Sequence, residues 1–222
     1  MATIDASKAG YIIGRASATF STSRQNGSSV VSAPTNNQTI AISYTATSGR
    51  GSLTHAMRRT FLYFDTSGLT GTISNTSLNI EGATNHAIDV AVFKSTAFGG
   101  DGGTALATSD FFSTIDFSTT YFAGQDWVPT TNNLSLNSTA NTDIQNNPAF
   151  ICALVEKQKD GGNVAATSAT SRQAGIGFGT TITLTYTEAS SGYANDVIGV
   201  ATANIGEVLG VATANIEKVI GV

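Results

Sequence analysis

The chain has 222 residues, 12% of them charged and 41% hydrophobic, with a net charge of −4 at pH 7. Charge stands at about half the roughly 25% of ordinary soluble proteins. Ser, Thr, Asn and Gly take its place, and 11 Phe with 6 Tyr supply a core that disordered chains lack. The eleven Lys and Arg are scattered, with Arg58-Arg59 the only adjacent pair, which argues against a basic groove for nucleic acid.

From the N-terminus, MATIDASKAGYIIGR has no basic stretch followed by an apolar run, so no signal peptide is expected and synthesis in a cytoplasm is. The longest apolar runs are broken by Gly, Thr or Asn, well short of a membrane span. Alternating or β-branched runs predict strands at 10–15, 38–46, 59–64, 76–80, 88–94, 132–136, 150–155 and 180–187. Clusters such as Ser67-Gly68, Gly99 to Gly103 and Asp160 to Asn163 separate them. Pro34, Pro129 and Pro148 all fall outside the strand interiors. One helical turn is expected over 141–147, capped by Thr or Asp. Short strands joined by Ser/Thr/Gly loops predict an all-β chain, an antiparallel jelly-roll sandwich over residues 1–188. The alternating ITLTYTE closes it, and residues 189–222 form a linker and a C-terminal repeat arm.

The arm reads VIGVATANIGE, VLGVATANIEK, VIGV, with Gly199, Gly210 and Gly221 eleven residues apart. A unit this short cannot bury its own apolar residues, so it must lie against the preceding domain, other copies or another protein. As a helix it has a stripe including Ile205, Val208, Leu209, Ile216 and Val219, but Gly206 and Gly210 lie inside that helix and cost it stability. As extended backbone, each glycine marks a turn and the Ile/Val segments pair as short strands. In either form these five residues are the expected assembly interface.

Residues with chemical potential are few. His55 and His86 have no second ligand at metal spacing, so surface or capping roles are expected. Cys152 in FICALV reads as a small buried hydrophobe. Asp65, Asp110, Asp116, Asp126 and Glu81 offer no spacing that marks a glycosidase pair, and no nucleophile elbow or phosphate loop is present. Asp101 in FGGDGG supplies one carboxylate, too few for calcium, and reads as a plain turn. Trp127, with Tyr121 and Phe122, reads first as a core plug and second as an aromatic platform for a glycan. No catalytic residue, metal or cofactor is expected.

The run RRTFLYFDTSGLTGTISNTSLNIEG (residues 58–82), then IDVAVFKS, NLSLNSTANTDIQNNPAFICALVEKQKD and ITLTYTE, resembles a jelly-roll family of disaggregatase-type surface proteins and carbohydrate-binding modules. Such domains also occur in phage structural proteins. The matching positions are Arg59, Phe64, Asp65, Ile73, Ser77, Leu78, Leu136, Asn137 and Thr139, and the resemblance spans roughly residues 10–187. Arg59 and Asp65 are expected to form a structural ion pair. The repeats resemble short tandem extensions on proteins of environmental phages. Together these imply a virion structural protein, either a capsid decoration or a tail- or fibre-associated protein. It would assemble through its arm with copies of itself or other virion proteins. The alternative is a carbohydrate-binding module for surface glycans, with Trp127 and Tyr121 as its site.

Overall fold

The computed structural model describes residues 1–32, 39–49, 51–178, 181–189, 207–208 and 211–212. In chain order its elements are β1 (Ala2–Asp5), β2 (Lys8–Gly14), α1 (Phe20–Gln25), β3 (Gly27–Ser32), β4 (Thr39–Ser48), β5 (Leu53–Asp65), β6 (Thr72–His86), β7 (Asp89–Ser95), α2 (Asp110–Ser113), β8 (Ile115–Asp126), β9 (Thr131–Ser135), α3 (Ser138–Asn146), β10 (Ala149–Glu156), β11 (Thr170–Ile176) and β12 (Thr183–Ala189). Twelve strands form one antiparallel, strongly curled sheet in the order β1-β12-β6-β11-β4-β5-β10-β7-β8. Off this path β9 pairs with β6, β2 with β5, and β3 with β2.

The curl follows from two long strands that change partners part-way. β5 pairs with β4 over its first half (Leu53 to Arg58) and with β10 over its second (Thr60 to Asp65), while β2 lines its other edge. β6 pairs with β12 and β9 along its first part and with β11 from Gly82 onward. The crossing point needs a glycine, because a Cβ at Gly82 would collide with the Val128 carbonyl oxygen. Right-handed twist accumulates along such long strands, and register shifts in the β6 ladders bend them further. Where the sequence predicts two packed sheets, hydrogen bonding runs continuously through twelve strands.

Two apolar clusters lie on opposite faces of the central strands. Leu62, Phe64, Val90, Val92, Cys152 and Leu154 point into the hollow of the curl, where they meet Leu78, Trp127, Ile144 and Leu184. Their neighbours Met57, Phe61, Ala91, Phe93, Ile151, Ala153 and Val155 face the other way, under Leu106 and Phe111. From Phe150 onward β10 is buried at every position, as its unbroken FICALV demands.

All eight predicted strands are present, most of them longer than expected. β1, β3, β8 and β11 were not predicted. Their sequences (ATID, GSSVVS, IDFSTTYFAGQD, TSRQAGI) are too polar to show a period, and partner strands hold them in place. The expected turn at 141–147 is the longer helix α3, capped by the Asn137 side chain, which accepts the Ala140 N–H at 3.1 Å. Two further strands, β13 (Glu207–Val208) and β14 (Val211–Ala212), pair antiparallel with each other. Those four residues are therefore extended. Ile205, Leu209, Ile216 and Val219 lie outside the described residues, and Val208 is described only through its backbone pairing.

Candidate functional site

The aromatic platform expected at Trp127 and Tyr121 has no free face. Trp127 is 1% exposed, and its indole N–H donates to the Gly175 carbonyl at 3.0 Å. Tyr121 is equally buried, its ring 5.1 Å from that of Phe150. Stacking on a sugar needs an open ring face, and burial has used both rings to close the core. Only the Tyr121 hydroxyl reaches a cleft, described below.

His86 is exposed, but His55 is buried, correcting its surface reading. Its Nδ1 lies 2.8 Å from the Tyr44 hydroxyl, which also accepts the Ala166 N–H. Burial pushes the His55 imidazole below its ordinary pKa. Cys152 is fully buried and its thiol is pushed up by desolvation. Asp65 does not meet Arg59; it accepts the Ser67 hydroxyl and backbone N–H. Asp116 holds Ser118 and Thr119, Asp110 accepts from Ala107, and Glu81 accepts from Thr131. Asp126 faces Asp89 across the β7–β8 ladder, and hydrogen bonding to that second carboxyl raises its pKa. Among the described residues no three His, Cys, Asp or Glu side chains gather as a metal site.

Arg59 has a different partner, and around it lies a polar centre that the sequence does not announce. Its guanidinium grips Asp160 with both arms, Nε to Oδ2 at 2.7 Å and Nη2 to Oδ1 at 2.6 Å, and both side chains are fully buried. Nη2 also donates to the Arg24 carbonyl at 2.9 Å and Nη1 to the Phe111 carbonyl. Arg24 donates to the Asp160 carbonyl and lies 4.3 Å over the Phe117 ring. Desolvation lowers the Arg24 pKa, with Asp160 opposing it. Beside them Glu156 is wholly buried and accepts three backbone N–H groups, from Gln158, Lys159 and Asp160. Desolvation still raises its pKa. This π-turn after β10 aims Asp160 back at β5. Asp160 is paired with Arg59 and Arg24 and Glu156 is satisfied by backbone N–H groups, so the centre can fasten α1, α2 and the β10–β11 connection to the sheet. The acidic and basic run EKQKD directly after FICALV is the only sequence signal for it.

A charged cluster open to solvent lines a second polar region. A cleft of about 180 Å³ lies where the end of β7, the loop 97–104, β8, α3 and the start of β10 meet. Asp143 on α3 accepts two bonds on one oxygen, from Lys94 Nζ at 2.9 Å and from Tyr121 Oη at 2.5 Å. Lys94 is 39% exposed and Asp143 20%, so the pair is reachable. Burial first, then Asp143, pushes the Tyr121 hydroxyl far up, which keeps it a donor. Asp101 stands at the mouth, with Oδ1 fixed by the Gly103 N–H.

Compared with known protein families and with curated proteins, the chain matches none. Among the described residues no helix is long and apolar enough to cross a membrane. The described chain is mainly β and built on one curled antiparallel sheet.

Proposed function

We propose that this protein is a structural component of a virus particle, a β body tethered into an assembly by its C-terminal arm. Capsid decoration and tail or fibre association both fit this reading. The observation that carries it is the eleven-residue repeat, in which Gly, Val, Asn and Ile return at fixed steps from Gly199 to Val222. Such a repeat exposes Ile and Val until something covers them, and covering them returns about 25 cal/mol per Å² before ordering costs. In a many-copy lattice a small contact per chain is enough, because copies bind together. The paired strands β13 and β14 support the reading, since two short paired strands are marginal in water and gain from added strands. The motif residues of the body support a jelly-roll ancestry: Leu78 and Leu136 are core residues, and Asn137 is the α3 cap. On this reading the curled sheet is a jelly-roll sandwich whose halves share β5 and β6.

Light scattering on the full chain beside a chain ending at Ala189 tests it. The shorter chain keeps both apolar clusters and all twelve strands of the large sheet. An oligomeric full chain beside a folded, monomeric short chain is the expected result. Two monomers, or two oligomers of the same size, would remove self-assembly through the arm.

A further inference from the structure

We propose that the cleft between β7, α3 and the loop 97–104 is a binding site for a small uncharged polyol presenting two neighbouring hydroxyl groups. The electrostatics disfavour an anion and leave no free counter-charge at the centre of the cleft. Lys94 and Asp143 neutralise each other at 2.9 Å, so an anion entering the cleft meets the uncompensated carboxylate of Asp101. A cation is drawn only to that same Asp101 at the mouth and is held off the pair by the Lys94 ammonium.

The unspent hydrogen-bonding capacity selects the diol. Asp143 takes both of its donors on Oδ2, and its Oδ1 has no hydrogen-bond partner among the described residues. Lys94 spends one of three N–H donors, on that same carboxylate. Asp101 spends Oδ1 on Gly103 and keeps Oδ2. A strong acceptor therefore stands beside a strong donor. One hydroxyl of a vicinal diol donates to Asp143 while its neighbour accepts from Lys94, and both bonds are charge-assisted. A mono-alcohol makes one of the two. Pro148 and Phe150 supply an apolar wall for the carbon skeleton. The volume of about 180 Å³ is well above the space that a single water needs, which leaves room for a small polyol.

The mouth is held in shape by local backbone geometry. Phe98 takes a left-handed conformation (φ 58°), and Gly99, Gly100 and Gly102 follow at φ near 80°. The buried Phe98 ring pins one end, and Lys8 donates to the Gly102 and Thr104 carbonyls at the other. Such strain persists only where surroundings fix it, and here it sets Asp101 over the cleft. This proposal does not depend on the arm.

Amide chemical shifts of the isotope-labelled full chain test it, titrated with glycerol, methyl glucoside and methyl mannoside, with 1-propanol, acetate and methylammonium as controls. The expected result is a saturable, millimolar perturbation by a diol, confined to Lys94, Gly100, Asp101, Asp143 and their neighbours. The controls should leave those signals unmoved. Asp143→Asn should weaken binding about tenfold, the loss expected of one hydrogen bond to a charged group. Asp101→Asn, outside the ion pair, should weaken it less and serves if Asp143→Asn unfolds. No saturable shift with any polyol, an equal shift with 1-propanol, or unchanged affinity in the folded variants would overturn the proposal.

Discussion

On one face of β5, β7 and β10 the core is closed mainly by apolar side chains, with Leu62, Phe64, Val92 and Leu154 meeting Leu78, Ile144 and Leu184 across the hollow of the curl. On the other face Met57 and Phe61 flank Arg59, and the layer is completed by an ion pair with Asp160 under α1 and α2. The first face is non-directional and tolerates exchange of one apolar residue for another of similar volume. The second is directional: four hydrogen bonds from one guanidinium fix where Asp160, Arg24 and Phe111 must sit. Hydrocarbon fills the curl, and charge specifies how the short helices and the β10–β11 turn close its outside.

The sharpest way to break this comparison is Asp160→Ala. It leaves the Arg59 charge buried and unpaired, and denaturant unfolding should show a loss of about 3–5 kcal/mol. Replacing both partners, Arg59→Met with Asp160→Leu, should restore most of it, because an apolar substitute carries no desolvation penalty. If the double variant is as damaged as the single one, the pair does more than fill the layer. On the hydrocarbon face, Leu78→Ala should cost about 2–5 kcal/mol by opening a cavity, and Leu78→Met less than about 1.5. A smaller effect belongs to Tyr44→Phe, which removes the hydroxyl shared by His55 and Ala166. About 1–3 kcal/mol is expected from the groups left unsatisfied. Asn137→Ala should cost about 1 kcal/mol through the lost α3 cap.

The pH dependence follows from His55. Its folded pKa is depressed by burial below the unfolded 6.5. Between those two values the unfolded chain binds more protons, so stability rises with pH across that window. The His55 contribution is fully present above about 6.5 and is lost as pH falls toward the depressed folded value. Unfolding curves collected from pH 7 to 5 should show this slope in the native chain and lose it in His55→Gln.

Much of the body was legible in its residues. FICALV, RRTFLYF and IDVAVFKS are dense in β-branched and aromatic side chains, and each became a central strand because burial on two faces leaves no alternative. The buried roles of Trp127 and Cys152 followed from size and apolarity. The ion pair that the resemblance implied between Arg59 and Asp65 does not form, because Asp160 reaches Arg59 from 101 positions away. The cleft was not legible at all, since Lys94, Asp101, Tyr121 and Asp143 come together only once β7, β8 and α3 are packed.

By itself, then, the sequence determined which segments are strands of the core, that the chain is mainly β, and that its C-terminal segment repeats every eleven residues. Those properties depend on composition and period, which act over a few neighbouring residues. Only the tertiary structure decided that the strands join into one curled sheet, that polar segments such as β8 and β11 belong to it, and which charges meet. Strand pairing and ion pairing are made between residues tens of positions apart, and no local pattern encodes the partner.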